Sequence, residues 1–309
     1  MINFIPVRYA NKDYPPDIIP KIQEITANFF NFIKHKKNLQ KTALPYVSLH
    51  TDPGYRGKKD MFLSSEVLNE FPIISKNVFN FGSSCVSKLW FNEKWSKEFS
   101  GFLVRLTEGI ERQRIKVIEV HPPIDAYCDS LDTFLKIYAA FEEEVLKEFP
   151  SAIINIENRC NPDPKRKGGN FLLSTNNDII KLSNLISKSA LKLKLVVDIP
   201  QLLSEHCGNM LLSESEIKNV LAPIRDYRDF IKSTHIWGYN IKTQRPHDAD
   251  FDTYFNGDQK LKACFLQEIC KLFDDGKARY FVPEVNETTK VQSIVNDLRR
   301  VGIEFVEPE

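Results

Sequence analysis

The sequence predicts a single (β/α)8 barrel, an α/β fold, on three observations. Short apolar runs alternate with amphipathic stretches along nearly the whole chain, the pattern of repeated βα units and not of separate α and β regions. Eight such runs fit within 309 residues, enough for one barrel with a long loop after its second strand. No linker, internal repeat or low-complexity segment divides the chain, so residues 1–309 read as one domain, with the chemistry-bearing half at 115–305.

The expected strands, in order, are Phe4–Tyr9 (FIPVRY), Tyr46–His50 (YVSLH), Val78–Ser83 (VFNFGS), Val117–His121 (VIEVH), Ala152–Glu157 (AIINIE), Leu193–Asp198 (LKLVVD), Ser233–Trp237 (STHIW) and Tyr280–Glu284 (YFVPE). Between them, Leu131, Phe134, Leu135, Tyr138, Phe141, Val145 and Leu146 return at three- and four-residue steps, which predicts a helix over Leu131–Phe149. Asp178–Ser189, Glu214–Leu221, Gln259–Phe273 and Thr288–Val301 read similarly, and Gly302 ends the last as a C-cap glycine. Within residues 10–45, NKDYPPDIIPKIQEITANFFNFIKH reads as a helix packed on the barrel.

Composition narrows the class. A hydrophobic content of 42% supports a large core, and a net charge of +1 means that any phosphate binding must come from local clustering. The N-terminus has no basic region leading into an apolar stretch, and no run approaches the roughly 18 apolar residues of a membrane span. A cytoplasmic protein without a membrane partner is expected. The six cysteines are scattered, with no CxxC pair, and read as reduced packing residues.

In such a barrel the carboxyl ends of the strands carry the chemistry. Five successive expected strands deliver His121, Glu157, Asp198, His235 and Glu284 there, roughly 35 to 50 residues apart, as successive βα units require. Singly, Glu157 or Asp198 could be a helix N-cap and His121, before two prolines, a turn residue. Together they imply a divalent cation, because three carboxylates gathered at an apolar mouth repel one another and drive protonation. Oxygen and imidazole donors without thiolate favour Zn²⁺ or Mn²⁺ over Mg²⁺ or Co²⁺. His50, ending the expected second strand, is a further candidate, whereas His35 in IKHKKN reads as solvated and His206 follows an expected loop.

These strand-end motifs resemble the xylose-isomerase-like barrels, a group that includes sugar isomerases and epimerases and the endonuclease IV-type apurinic-site nucleases. The resemblance covers mainly residues 115–305. It implies a metal on Glu157, Asp198, His235 and Glu284. In the endonuclease branch a His-Pro-Gly turn follows strand four, and His121 in HPP is similar apart from the glycine; Glu157-Asn158 matches that branch's Glu-Asn. The chain departs from the pattern at Gln201, where both branches carry histidine, and at VFNFGSSC, which offers no histidine after the expected third strand. His247, Asp248 and Asp250 stand in a different order from the endonuclease Asp-x-His pair, so the resemblance does not extend to a three-metal cluster.

The loops on the same face are basic: Arg56, Lys58 and Lys59, then Arg159, Lys165, Arg166 and Lys167, then Lys242 and Arg245. That clustering suits a phosphate-bearing substrate, DNA among the candidates, with Tyr55 and Trp237 placed to stack a base and Gly168-Gly169 offering backbone amides to a phosphate. The expectation is metal-dependent phosphodiester hydrolysis with Glu157 and Glu284 as catalytic groups, and with Gln201, His247, Asp248 and Asp250 joining Arg56, Lys58, Lys165, Arg166, Lys242 and Arg245 in substrate binding. Two alternatives stay open: a metal-dependent sugar or sugar-phosphate isomerase or epimerase in which Glu157 and Glu284 exchange protons with a carbon, and a barrel that binds a ligand without turnover.

Overall fold

Runs of β-branched and aromatic residues place the main strands at Ile2–Arg8 (β1), Ile22–Thr26 (β2), Tyr46–His50 (β3), Ile115–Val120 (β4), Ile153–Glu157 (β5), Lys194–Asp198 (β6), Ile231–Ile236 (β7) and Ala278–Pro283 (β8). They come from a computed structural model that describes the chain outside residues 30–31, 52–55, 58–68, 82–83, 162–168, 209–211 and 309; at 56–57, 78–81 and 84–87 it describes the backbone alone. The eight parallel strands alternate with helices and form a closed (β/α)8 barrel, in the order β8-β7-β6-β5-β4-β3-β2-β1. β1 pairs in parallel with β8 and with a short strand at Ile303–Phe305 (β9). Among the described residues no helix is long and apolar enough to cross a membrane.

Two elements correct the sequence expectation. The second barrel strand is IQEIT at 22–26, inside the stretch expected to be helical. Pro15, Pro16 and Pro20 remove the donors a helix there would need, and IQEIT is buried at all positions but the last, although Gln23 and Glu24 look like a polar helix face. The helix begins only at Phe32–Lys41 (α1). Tyr46–His50 is therefore the third barrel strand. Val78–Phe81, expected as the third, instead pairs antiparallel with Ser84–Ser87, which also pairs with Arg56–Gly57 in a separate three-stranded sheet. His35 is a further correction: with Phe32 and Leu39 it forms the buried face of α1 at helical spacing, and it is not solvated.

The longer helices that follow are Glu93–Leu106 (α2), Leu131–Glu148 (α3), Asn176–Ser187 (α4), Ile199–Cys207 (α5), Glu214–Leu221 (α6), Gln259–Phe273 (α7) and Thr288–Arg300 (α8), with short helical turns at Pro72–Lys76 and Phe251–Tyr254. Their starts are written in local chemistry. The Ser130 hydroxyl accepts from the Thr133 amide at the head of α3, Ser213 and Glu216 form a reciprocal capping box on α6, and Asp258 accepts from two amides of α7.

The chain divides into two compact units: residues 1–24, 174–183 and 194–309 form the first, and residues 25–173 and 184–193 the second. In the first, Phe4 stacks on Phe281 at 5.3 Å, and Tyr14 and Phe305 meet Phe281 edge-on. In the second, Trp90, Trp95, Phe99, Phe102, Phe134, Tyr138 and Phe141 bring α2 and α3 together in a continuous set of edge-to-face and offset contacts. Each such ring is fully buried and stabilises the unit by about 1.5–3 kcal/mol over an exposed position.

Candidate functional site

Strand register gathers the chemistry in the second unit. β3 and β4 pair His50 with Glu119, and β4 and β5 pair Val120 with Ile156, so the next residues along, His121 and Glu157, stand level. His121 Nε2 lies 2.9 Å from Glu157 Oε2, His50 Nε2 lies 3.4 Å from the same oxygen, and the two Nε2 atoms are 3.3 Å apart. All three side chains are buried. Arg159, just past the strand, sets its guanidinium 3.7 Å from the other oxygen, Glu157 Oε1.

The histidines are anchored behind their facing nitrogens. His121 Nδ1 stands 2.8 Å from the Thr51 carbonyl, which can only accept, so this nitrogen carries a proton. The Trp90 indole N–H donates to the His121 carbonyl at 2.6 Å, and the Ala27 amide donates to the His50 carbonyl at 2.7 Å. Both strand ends are thus pinned as well as their rings.

In the first unit, β6 and β7 pair Asp198 with His235, while β7 and β8 pair Ile236 with Pro283, which brings Glu284 in one step later. Asp198, His235 and Glu284 offer ligand atoms all within 4.8 Å of one another, and all are buried. His235 Nδ1 is 3.4 Å from Glu284 Oε1. Asp198 also caps α5: its Oδ1 accepts from the Gln201 amide at 3.0 Å, while Oδ2 accepts from the Gln201 side chain at 2.7 Å and the Trp237 indole at 3.0 Å. The cap and the cluster are both present. Burial, then the nearby Asp198 charge, pushes the Tyr254 hydroxyl above its ordinary value and keeps it protonated.

Among the described residues, each unit contains one such group drawn wholly from itself: His50, His121 and Glu157 in the second, Asp198, His235 and Glu284 in the first. Both donor sets suit a divalent cation: carboxylate and imidazole atoms, buried and close enough to share one ion, with no thiolate. Among the described residues no cysteine joins these groups, and burial pushes the Cys128 and Cys207 thiols up to about 11, away from ligand chemistry.

The expected substrate-binding residues are distributed unevenly. Lys58, Lys59, Lys165, Arg166, Lys167, Gly168 and Tyr55 lie outside the described residues, and Arg56 is described only through its backbone pairing with Cys85. Gly169 has φ +85° and lies against Ile124, Asp125 and Ala126, where a Cβ would come within 2.2 Å of the Asp125 carboxylate; packing requires this glycine. Lys242 and Arg245 are exposed on a hairpin of Gly238–Asn240 with Arg245–Ala249. Asp248 binds Lys290 at 2.7 Å and Thr243 at 3.1 Å, contacts that hold its carboxyl below the usual range, and Asp250 caps Phe251–Tyr254. Asp248 therefore braces the hairpin, and Asp250 starts the helical turn that follows it.

That hairpin carries His247 back over the first unit's cluster. His247 has φ +58°, donates from Nδ1 to the Glu284 carbonyl at 2.8 Å and stacks on Trp237 at 4.2 Å between ring centres. Gly238 makes the hairpin possible, since a Cβ there would lie 2.7 Å from the Ala249 carbonyl. Beside it, Asn240, Ile241, Lys242, Asp250, Asp252, Thr253, Asn256 and Gly257 line a cavity of about 650 Å³. Of the residues with site geometry, Glu119 escapes the sequence analysis and His50 is named there on the wrong strand. Glu119 has no strand-tip signal and looks like an ordinary strand residue, and His50 is assigned to the wrong strand when β2 is missed.

No family model matches the chain. No curated protein matches it either. Solved structures with a similar fold include AsfvAP:AG, at 10% identity over 97% of this chain and 98% of that one with a TM-score of 0.48. IolI protein with a binding zinc atom is 12% identical over 91% of this chain and 86% of that one, with a TM-score of 0.40. A xylose isomerase domain protein from Planctomyces limnophilus is 10% identical over 90% and 95%, with a TM-score of 0.41. Activity and ligands have to be argued from this chain's own residues.

Proposed function

We propose that the protein is a divalent-metal-dependent phosphodiester hydrolase acting on a nucleic acid or another phosphate-bearing substrate. The observation that carries this reading is the pair of buried carboxylate–imidazole groups, His50, His121 and Glu157 in one unit and Asp198, His235 and Glu284 in the other. Zn²⁺ or Mn²⁺ bound at such groups supplies positive charge against the charge that develops at phosphorus and makes water more acidic.

The chain's own residues do the rest. Glu157 keeps Oε2 toward the two histidines and Oε1 toward Arg159, so the guanidinium is held where it can donate to a phosphate oxygen. Glu284 and Asp198 hold their negative charge against His235, with Asp198 fixed by Gln201 and Trp237. His247 has its Nδ1 proton committed to the Glu284 carbonyl and is the most exposed imidazole of this region, which leaves Nε2 to hold a proton for a departing oxygen. Lys242 and Arg245 on the same hairpin meet the anionic backbone of the substrate.

The test is elemental analysis of the purified protein followed by incubation with abasic, nicked and single-stranded DNA under Zn²⁺, Mn²⁺, Mg²⁺ or Co²⁺, with Glu157→Gln as control. Strand scission that needs a divalent ion and disappears in Glu157→Gln is expected. Absence of scission under every ion overturns the hydrolase reading. Exchange of solvent protons into a panel of ketoses in the same preparations would replace it with an isomerase.

A further inference from the structure

Glu119 is a second carboxylate of the second unit's barrel strands that stands in register with a histidine, and nothing in the reading above uses it. It pairs across the sheet with His50, so both side chains leave the same face of neighbouring parallel strands. It is only 2% exposed. Burying an ionised carboxylate is costly and demands compensation. Its Oε1 lies 3.6 Å from His50 Nδ1, a few tenths of an ångström beyond hydrogen-bond range. The opposite ring nitrogen, His50 Nε2, faces Glu157 Oε2 and His121 Nε2.

The backbone around Glu119 is held firmly. Thr51 donates to the Glu119 carbonyl twice, from its amide at 2.9 Å and from Oγ1 at 2.7 Å, and the carbonyl of Thr51 is the acceptor that fixes His121 Nδ1–H. One residue therefore ties the anchor of one histidine to the strand that carries the anchor of the other. His121 has a backbone carbonyl behind Nδ1, and His50 has a carboxylate.

We infer that Glu119 is a positioning residue: its carboxylate takes the Nδ1–H of His50 and thereby aims His50 Nε2, as a neutral donor, at the point shared with His121 and Glu157. An imidazole whose rear nitrogen is held by a carboxylate is both fixed in tautomer and a better ligand, and loss of such a partner weakens metal binding by about 10–100-fold. The inference rests on the cation-binding part of the proposed function and not on hydrolysis.

The test uses the full chain. Zn²⁺ affinity is measured by competition with a chelator for the wild type, Glu119→Ala, Glu119→Gln, His50→Ala and the double variant Glu119→Ala/His50→Ala. Proton NMR of the Zn²⁺-loaded protein follows the His50 Nδ1–H resonance, assigned by its absence in His50→Ala. Expected is a protected, downfield His50 Nδ1–H in the wild type that is lost in Glu119→Ala and kept in Glu119→Gln, whose amide oxygen still accepts. Glu119→Ala should weaken one Zn²⁺ equivalent by about 10–100-fold in the wild-type background and have no further effect in the His50→Ala background.

Equal weakening in both backgrounds overturns the inference, since it would mean a general structural role. So does an unprotected His50 Nδ1–H in the loaded wild type, a measurement that needs no variant to fold. Tight Zn²⁺ binding with the expected coupling but no DNA cleavage would retire the hydrolase reading and leave the role of Glu119 standing. A wild type that binds no Zn²⁺ overturns both.

Discussion

The two buried clusters solve the same electrostatic problem with opposite compositions. In the second unit one carboxylate, Glu157, faces two imidazoles, and a guanidinium from Arg159 stands beside it. In the first unit two carboxylates, Asp198 and Glu284, close on His235, with the His247 ring 3.7 Å from the other Glu284 oxygen, and among the described residues Lys290 and Arg279 are spent on Asp248 and Asp275. The first cluster is the more negative and the harder donor set; the second is softer and nearer to neutral. That difference teaches which ion each should prefer and which substitution each should tolerate.

The largest expected effect tests the cluster with a single carboxylate. Glu157→Gln removes all of its anionic charge, and hydrolysis should fall by on the order of 10³-fold, the loss of several kcal/mol of transition-state stabilisation. Steady-state cleavage assays at saturating Mn²⁺ check it, and a tenfold loss or less would show that the softer cluster is dispensable.

Next comes the amino-terminal end of β8, the counterpoint to Glu284 at its tip. Arg279 is 1% exposed and is held bidentately by Asp275 at 2.8 and 2.6 Å. Burial alone would raise the Asp275 carboxyl, and the Arg279 guanidinium more than offsets it, so the carboxyl titrates below its ordinary range. Its stabilisation is therefore complete above the unfolded carboxylate value of about 3.9 and is lost as pH falls through the lower folded value. Asp275→Ala should cost about 3 kcal/mol at pH 7 by urea unfolding, because it strands a buried guanidinium, and should flatten the acid limb of the stability curve. An unchanged acid limb would assign acid sensitivity to other groups.

A smaller loss is expected for Trp237→Phe, which deletes the indole donor to Asp198 Oδ2 and keeps most of the ring. About 2 kcal/mol of stability in the metal-free protein should go with it, the worth of a hydrogen bond to a charged acceptor. Added Mn²⁺ should restore part of the loss, read as a shift in Tm, since an ion compensates the same carboxylate.

The smallest effect is the preference itself. With Asp198→Asn and Glu157→Gln used to isolate the two clusters, the Zn²⁺ to Mn²⁺ affinity ratio should be about tenfold larger at His50, His121 and Glu157 than at Asp198, His235 and Glu284. Equal ratios would erase the comparison.

Much of this was open to reading in the chain itself. β4 to β8 each place a histidine or carboxylate at the strand end or one residue from it, because a parallel strand reaches its tip as a short apolar run and a charged residue there stands out against it. The amino-terminal third is harder. Gln23 and Glu24 are buried polar residues within β2 and imitate the polar face of a helix, and that one missed strand makes Tyr46–His50 read as second when it is third. With β2 in place, His50 ends the third strand, where a histidine had looked absent. Val78–Phe81 has the composition of a barrel strand but pairs locally with Ser84–Ser87, a choice made by hairpin contacts and not by propensity.

The sequence by itself determined the repeating βα pattern, the helix starts at Ser130, Ser213 and Asp258, and the identity of the side chains at five strand tips, because periodicity, capping and turn chemistry are local. Tertiary structure alone decided that His50 joins His121 and Glu157, that Asp198 serves as cap and cluster member together, that Asp248 braces a hairpin, and that Glu119 stands behind His50. Those outcomes depend on the register between strands tens of residues apart, and register is set by the sum of packing across the barrel, which no single stretch of chain contains.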